Sequence, residues 1–511
     1  MLQTKENASI IKPMPSSRCL KKGCRRWVAV MLLAFFPLLL PAQESQFERM
    51  KGELSNRSIP LVNLTVDTSR VVSETFVDAS IEIADYQRRT DPSSDTVSYR
   101  CLVRYRGNNS LSFNKKSYAV KLVDDNGNDL DAPVLGIRKE NSWILDAMAV
   151  DRSRMRNRVC FDIWNRMSHT PYETKYGNRN GTAGCFVELF INGDYWGLYC
   201  LSDKIDRKLL GLKKAEQTST GMALKGLLYK GINWESGYDL LSYKDDPDVE
   251  DGKWNAWELQ YPQEFSTLET WQPLMDLIDF CSHATSDSDF LAHYHDYFYV
   301  DNLTDYVVFT WAMNVGDNGY KNTFLSVPDI TQGHRFLVTP WDMDMSLGGY
   351  WDGTYYDVAT DASFYWSRAP YNRLLMNNLD KFLDRVVERY KECLYGILSE
   401  QRVMSDMRRY AAQLMLSGAW KREVEKWSGD PVPLKKSLFD ELDYIAGWYW
   451  RNQIALGKQL GVDAIHEITG DSNGPKRRGI YTVDGRKVDV GDGRNLSKGA
   501  YVVDGRLVIV R

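Results

Sequence analysis

The chain has 511 residues, of which 43% are apolar and 26% charged, with a formal net charge of −4. Such a chain can bury a large core and is excluded from the disordered class. Its slightly acidic balance gives no overall basic field, which argues against nucleic acid as the partner.

Lys21, Lys22, Arg25 and Arg26 precede an apolar run over residues 27–40 that ends in Pro41-Ala42-Gln43. A charged segment, an apolar core and a small residue predict a secretory signal over residues 1–42, cleaved near Ala42, with Met14 as an alternative start. The run is short for a bilayer and contains Pro37, so no stable membrane span is expected after cleavage. The mature chain is then exported, to the periplasm, the cell surface or the medium. Six cysteines remain, none with C-x-x-C spacing, which leaves both disulfide pairs and buried thiols open.

Residues 59–86 alternate Val, Leu and Ile with Asp and Ser, which predicts two or three strands. Residues 99–122 predict a strand, a turn at Arg106-Gly107-Asn108-Asn109-Ser110 and a second strand with Tyr118, Val120 and Leu122 on one face. The opposite face carries Lys121 in Tyr-Ala-Val-Lys, the shape of the kinase V-A-I-K strand whose lysine pairs with nucleotide phosphates. A basic solvated hairpin fits that lysine equally well. The turn lacks a G-x-G-x-x-G pattern, yet its amides and hydroxyls could cover a phosphate.

Met155, Val159, Ile163 and Met167 fall at helical spacing, with Asp151 as the expected N-cap. A kinase lysine needs an acidic partner from such a helix, and Asp162 is a weak candidate. Asn192-Gly193-Asp194 predicts the turn of an apolar hairpin. With the helix, these strands form a β-rich nucleotide lobe. Leu227–Gly231 predicts a further strand, residues 232–264 an acidic, aromatic loop, and residues 266–300 helix. Helical spacing returns from Leu374 and continues to about Leu460, so the second half is chiefly helical. His283, His293 and His295 lack zinc spacing and read as surface side chains. Beyond Pro475-Lys476-Arg477-Arg478 the composition changes to short alternating strands with turns at Asp484-Gly485 and Asp504-Gly505, a separate β tail over 479–511.

The densest chemistry lies in residues 303–349. An apolar run, Tyr306 to Trp311, leads into a polar loop with Asp317, Lys321 and Asn322, followed by a strand from Thr323 to Val327. A second strand, Arg335 to Thr339, delivers Asp342 and Asp344. The five-residue step from Asp317 to Asn322 equals that of the kinase catalytic loop, and Asp342 stands where a metal-binding aspartate after the next strand is expected. The His-Arg that precedes the kinase aspartate is missing, and D-N-G is also a plain turn sequence. On an extended segment Asp342 and Asp344 would point to one side, whereas a turn just after the strand would divide their roles.

Taken together, R-G-N-x-S and K-K-S-Y-x-V-K-L (Arg106 to Leu122), N-G-x-Y-x-G-x-Y (Asn192 to Tyr199) running into Lys204-Ile205-Asp206-Arg207, L-Y-K (Leu228 to Lys230), N-x-x-D-x-x-x-K-N (Asn314 to Asn322) and W-D-x-D-x-S-x-G (Trp341 to Gly348) resemble the spore-coat protein H (CotH) kinase family. The resemblance covers about residues 58–455 within a domain of 58–460 whose opening, 58–100, is β-rich. It implies an α+β, atypical protein-kinase-like bilobal fold and metal-dependent transfer of the ATP γ-phosphate to Ser/Thr hydroxyls of a protein. Asp317 would be catalytic; Asn322, Asp342 and Asp344 would hold Mg²⁺ or Mn²⁺. Lys121, Arg106, Asn109, Ser110, Lys230 and Lys321 would contact ATP. Asp203 departs from the glutamate common in the family, which puts a salt-bridge role there in question. The tail resembles C-terminal modules of secreted Bacteroidetes proteins, some of which are sorting signals. A catalytically silent scaffold and a glycoside hydrolase with paired carboxylates are the competing classes.

Overall fold

The computed structural model describes residues 44–219, 221–244, 251–319, 321–365 and 367–462, and four strands between 480 and 510. The chain divides into a unit of residues Met1–Glu44 and one of residues Ser45–Arg511. The expected signal segment lies outside the described residues, and every element named below belongs to the second unit.

After helix α1 (Gln46–Gly52) come strands β1 (Leu61–Val66), β2 (Val77–Ala84), β3 (Thr96–Arg106), β4 (Ser117–Val123) and β5 (Ser142–Asp146), helix α2 (Arg156–Met167), and strands β6 (Gly184–Ile191) and β7 (Asp194–Ser202). The seven strands form a closed barrel in the order β1-β2-β3-β4-β5-β7-β6. Closure comes from the parallel pairing of β1 with β6, Leu61 opposite Glu188, a contact between segments far apart in sequence. Val120, Leu122, Leu145, Leu189 and Leu201 fill the barrel. The alternation expected for β4 holds, and the β6–β7 turn is made by Asn192 and Gly193, both at positive φ, as an Asn-Gly hairpin requires. Strand β5 goes beyond the sequence expectation. Helix α2 starts later than expected, and it packs into the core of the second half rather than into the barrel. The N-cap is Met155 rather than Asp151, although the Asp151 carboxylate still accepts from the backbone N–H of Met155 and Arg156, both at 2.7 Å.

The remainder runs β8 (Glu216–Thr218), β9 (Gly221–Ala223), β10 (Leu227–Gly231), β11 (Lys253–Trp254), β12 (Trp257–Tyr261), α3 (Leu268–Cys281), α4 (Asp287–Tyr297), α5 (Val300–Met313), β13 (Thr323–Val327), β14 (Leu337–Pro340), α6 (Tyr371–Leu374), α7 (Phe382–Leu394), α8 (Glu400–Leu416), α9 (Ala419–Lys426) and α10 (Leu438–Gln459). Strands β11-β12-β10-β13-β14 make a second sheet, so the expected loop over 232–264 contains two strands. Helix α5 is buried nearly all round, as expected of a helix without a polar face, and it forms the floor under the second sheet. The tail strands β15 (Ile480–Thr482), β16 (Lys487–Val488), β17 (Gly499–Val503) and β18 (Arg506–Val510) form a sheet; their expected turns lie outside the described residues. All six described cysteines are free thiols, five of them buried. No described helix is long and apolar enough to cross a membrane.

A buried ionic knot ties α9 to the barrel. Glu423 accepts from Lys115 Nζ at 2.6 Å, Arg154 Nε at 2.9 Å and the Leu198 N–H at 2.7 Å. Burial works against its charge, but Lys115 and Arg154 hold the carboxyl below its ordinary range. Glu423→Ala would leave two cations buried without their counter-charge. It should cost about 3–5 kcal/mol, the usual penalty for removing one partner of a buried pair, read from the midpoint of denaturant unfolding.

Candidate active site

Two strand ends meet at the site. On the barrel, Arg106 of β3 lies opposite Ser117 of β4, and Ser117 Oγ in turn reaches Asp146 at the end of β5 at 3.4 Å. Cross-strand neighbours share a face, so Arg106 and Asp146 stand together at one rim. Gly107 makes the turn that follows possible: its φ is +119°, and a Cβ there would lie 2.0 Å from Ser110 Oγ. Asn109 and Ser110 sit in that exposed turn.

On the second sheet, Lys230 of β10 lies between Glu258 of β12 and Phe324 of β13. The loop joining α5 to β13 is pinned from below. The buried Tyr306 hydroxyl donates to the Asn318 carbonyl and bonds Thr323 Oγ1 at 2.7 Å. The Asn318 amide donates to the Trp341 carbonyl at 2.9 Å, and the Trp341 N–H donates to the Asn322 carbonyl at 2.8 Å. Asp317 and Asn322 are thereby fastened beside the chain leaving β14. Asp317 Oδ2 accepts from Lys321 Nζ at 3.0 Å and Asn322 Nδ2 at 3.5 Å.

The chain turns at Asp342, which has a φ of +55°, so the segment is not extended there. Asp342 faces Arg106 and Lys230, while Asp344 lies nearest to other carboxylates, Asp342 and Asp146. Asp342 is open to solvent although protein groups crowd it. Burial pushes its carboxyl above the ordinary range and Asp146 adds to this, against the pull of Arg106 and Lys230. Asp344 is pushed well above by burial, then by Asp342, Asp146 and Asp151. Lys230 is lowered, first by burial and then by Arg106, with Asp342 and Glu258 acting in the other direction. The Trp341 ring lies under both cations, 5.6 Å from the Arg106 guanidinium carbon and 6.0 Å from Lys230 Nζ.

The structure therefore gathers Arg106, Lys230, Asp317, Lys321, Asn322, Asp342 and Asp344. Lys121 is placed apart from them: it lies on the outward face of β4 and pairs with Asp129 at 2.7 Å. Asp162 is spent on Arg158 at 2.9 Å and on the Tyr410 hydroxyl at 2.6 Å. Asp203 is fully buried and carries two ion pairs, with Arg138 at 2.8 Å and Arg179 at 2.6 Å, so the shorter acid does hold a salt bridge. Sequence reasoning missed Asp146 and Asn157, and it named Trp341 only as the start of a motif, without its place beneath the two cations. The one available signal for Asp146 was a carboxylate ending the apolar run Trp143-Ile144-Leu145.

Asp342, Asp344, Asp146 and Asn322 offer only oxygen donors, the set preferred by Mg²⁺ and Mn²⁺. Among the described residues no group of three or more His, Cys, Asp or Glu is arranged to hold a metal. Carboxylates and two cations, Arg106 and Lys230, thus share one rim. A family model described as CotH kinase protein matches residues 103–453, from β3 into α10, and the chain belongs to that family. Comparison with curated proteins finds no match.

Proposed function

We propose that the protein is an exported kinase that transfers the ATP γ-phosphate to Ser/Thr hydroxyls of a protein substrate. One observation carries this reading: the Asp317–Asn322 loop is bonded through its own backbone to the segment that presents Asp342, opposite the cations Arg106 and Lys230. In that arrangement Asp317 accepts the proton of the attacking hydroxyl as its oxygen bonds to the γ-phosphorus and ADP leaves. Arg106 and Lys230 bind phosphate oxygens, Asn109 and Ser110 cover them from the turn, and Lys321 shields the charge beside Asp317. Lys121 stays a candidate only if its pair with Asp129 opens. Mg²⁺ or Mn²⁺, held by Asp342 with Asn322 and Asp344, would supply neutralisation of the phosphate charge. The barrel then serves as nucleotide lobe and the helical half as second lobe, residues 1–42 direct export, and the tail over 479–511 serves sorting.

The reading is tested by incubating the purified protein with ATP and either metal and mapping phosphoserine and phosphothreonine by mass spectrometry, on itself and on an added serine-rich protein. Metal-dependent phosphate on either is expected. Its absence with both metals, from folded protein, would favour a scaffold.

A further inference from the structure

We infer that Asn157 is a positioning residue whose side-chain amide fixes the barrel carboxylate Asp146 against the Asp342–Asp344 turn. Asn157 Nδ2 donates to Asp146 Oδ2 at 3.1 Å, and Asn157 Oδ1 accepts from the Met343 N–H at 3.1 Å. Met343 is the residue between the two aspartates. This bridge needs one donor and one acceptor on a short side chain, which an amide has and a carboxylate or an aliphatic group lacks. Its neighbour Arg156 holds the same turn from the far end, donating from Nε to the Ser346 carbonyl at 3.0 Å while pairing with Glu441 at 3.1 Å. Two successive residues at the start of α2 thus grip both ends of the turn.

Asp146 is itself fixed from the barrel side, where its Oδ1 accepts from the Met148 N–H at 3.0 Å. The Asn157 amide thereby ties Asp146 to the turn that carries Asp342 and Asp344. The inference rests on the reading of Asp342 as a metal-holding group.

The test is Mn²⁺ binding to the full chain in the presence of ATP, read from the loss of the free Mn²⁺ resonance signal, for Asn157→Ala and for Asn157→Leu should the first fail to fold. Loss of an outer partner of this kind weakens metal binding by about 10–100-fold, so a shift in that range is expected, with ATP affinity in EDTA unchanged and activity recovering as Mn²⁺ is raised. Such recovery separates positioning from a general loss of structure. Unchanged Mn²⁺ affinity in the Asn157 variants, alongside a large loss in Asp342→Ala, would overturn the inference and leave the proposed function standing. Unchanged affinity in Asp342→Ala as well would overturn the metal reading and the inference with it.

Discussion

Asp317→Asn is expected to reduce phosphate transfer by about 10²–10⁴-fold, the range that a positioned general base contributes, with nucleotide affinity nearly unchanged. The geometry gives the reason for the split. Asp317 sits on a loop pinned by Tyr306 and tied to Trp341, and its carboxylate contacts Lys321 and Asn322, while the cations assigned to the phosphates, Arg106 and Lys230, belong to other strands. An amide at position 317 keeps the shape and the contact with Asn322, yet it cannot accept the hydroxyl proton. Steady-state rates with calorimetric ATP binding on the same variant check this. Full activity would remove Asp317 from the mechanism.

Asp342 and Asp344 are expected to be unequal. Asp342 stands at the turn, open to solvent and facing both cations, so Asp342→Ala should weaken Mg²⁺-ATP binding and slow transfer together, each by about 100-fold or more, beyond what an outer partner costs. Asp344 is the more shielded of the two, and burial pushes its carboxyl well above the ordinary range, which suits it to organising the turn, so Asp344→Ala should slow transfer more than it weakens binding. The turn itself is independently supported: the Leu347 N–H donates to the Met313 carbonyl at 2.9 Å, and a Cβ on Gly348 would lie 2.7 Å from the Trp448 ring. Calorimetric titration of Mg²⁺-ATP into both variants decides; equal effects would mean that the two share one role.

What was legible in the sequence was what local pattern controls. The hairpin at Asn192-Gly193, the face alternation of β4 and strand β10 follow from period and turn chemistry, and the Asp317–Asn322 loop with its two following aspartates was visible as a spacing. Barrel closure was not, because β1 and β6 pair across more than a hundred residues and nothing in either strand marks its partner. β5 was hidden because five residues preceding a helix carry too little period to stand out. The placing of the cations escapes local pattern for a related reason. Strand alternation sets Lys121 on the face opposite Tyr118, Val120 and Leu122, where it meets Asp129, and the barrel's register is what brings Arg106, at the rim beside Ser117 and Asp146, to face Asp342.

The central claim is transfer of the terminal phosphate, and the position of the label in ATP tests it most directly. The full chain, Mg²⁺ or Mn²⁺ and a serine-rich acceptor protein are incubated in parallel with ATP labelled at the γ-phosphorus and at the α-phosphorus. Label should reach protein from the γ position alone, and Asp317→Asn should cut it by the same large factor; label arriving from the α position would mean nucleotidyl transfer and would contradict the kinase account.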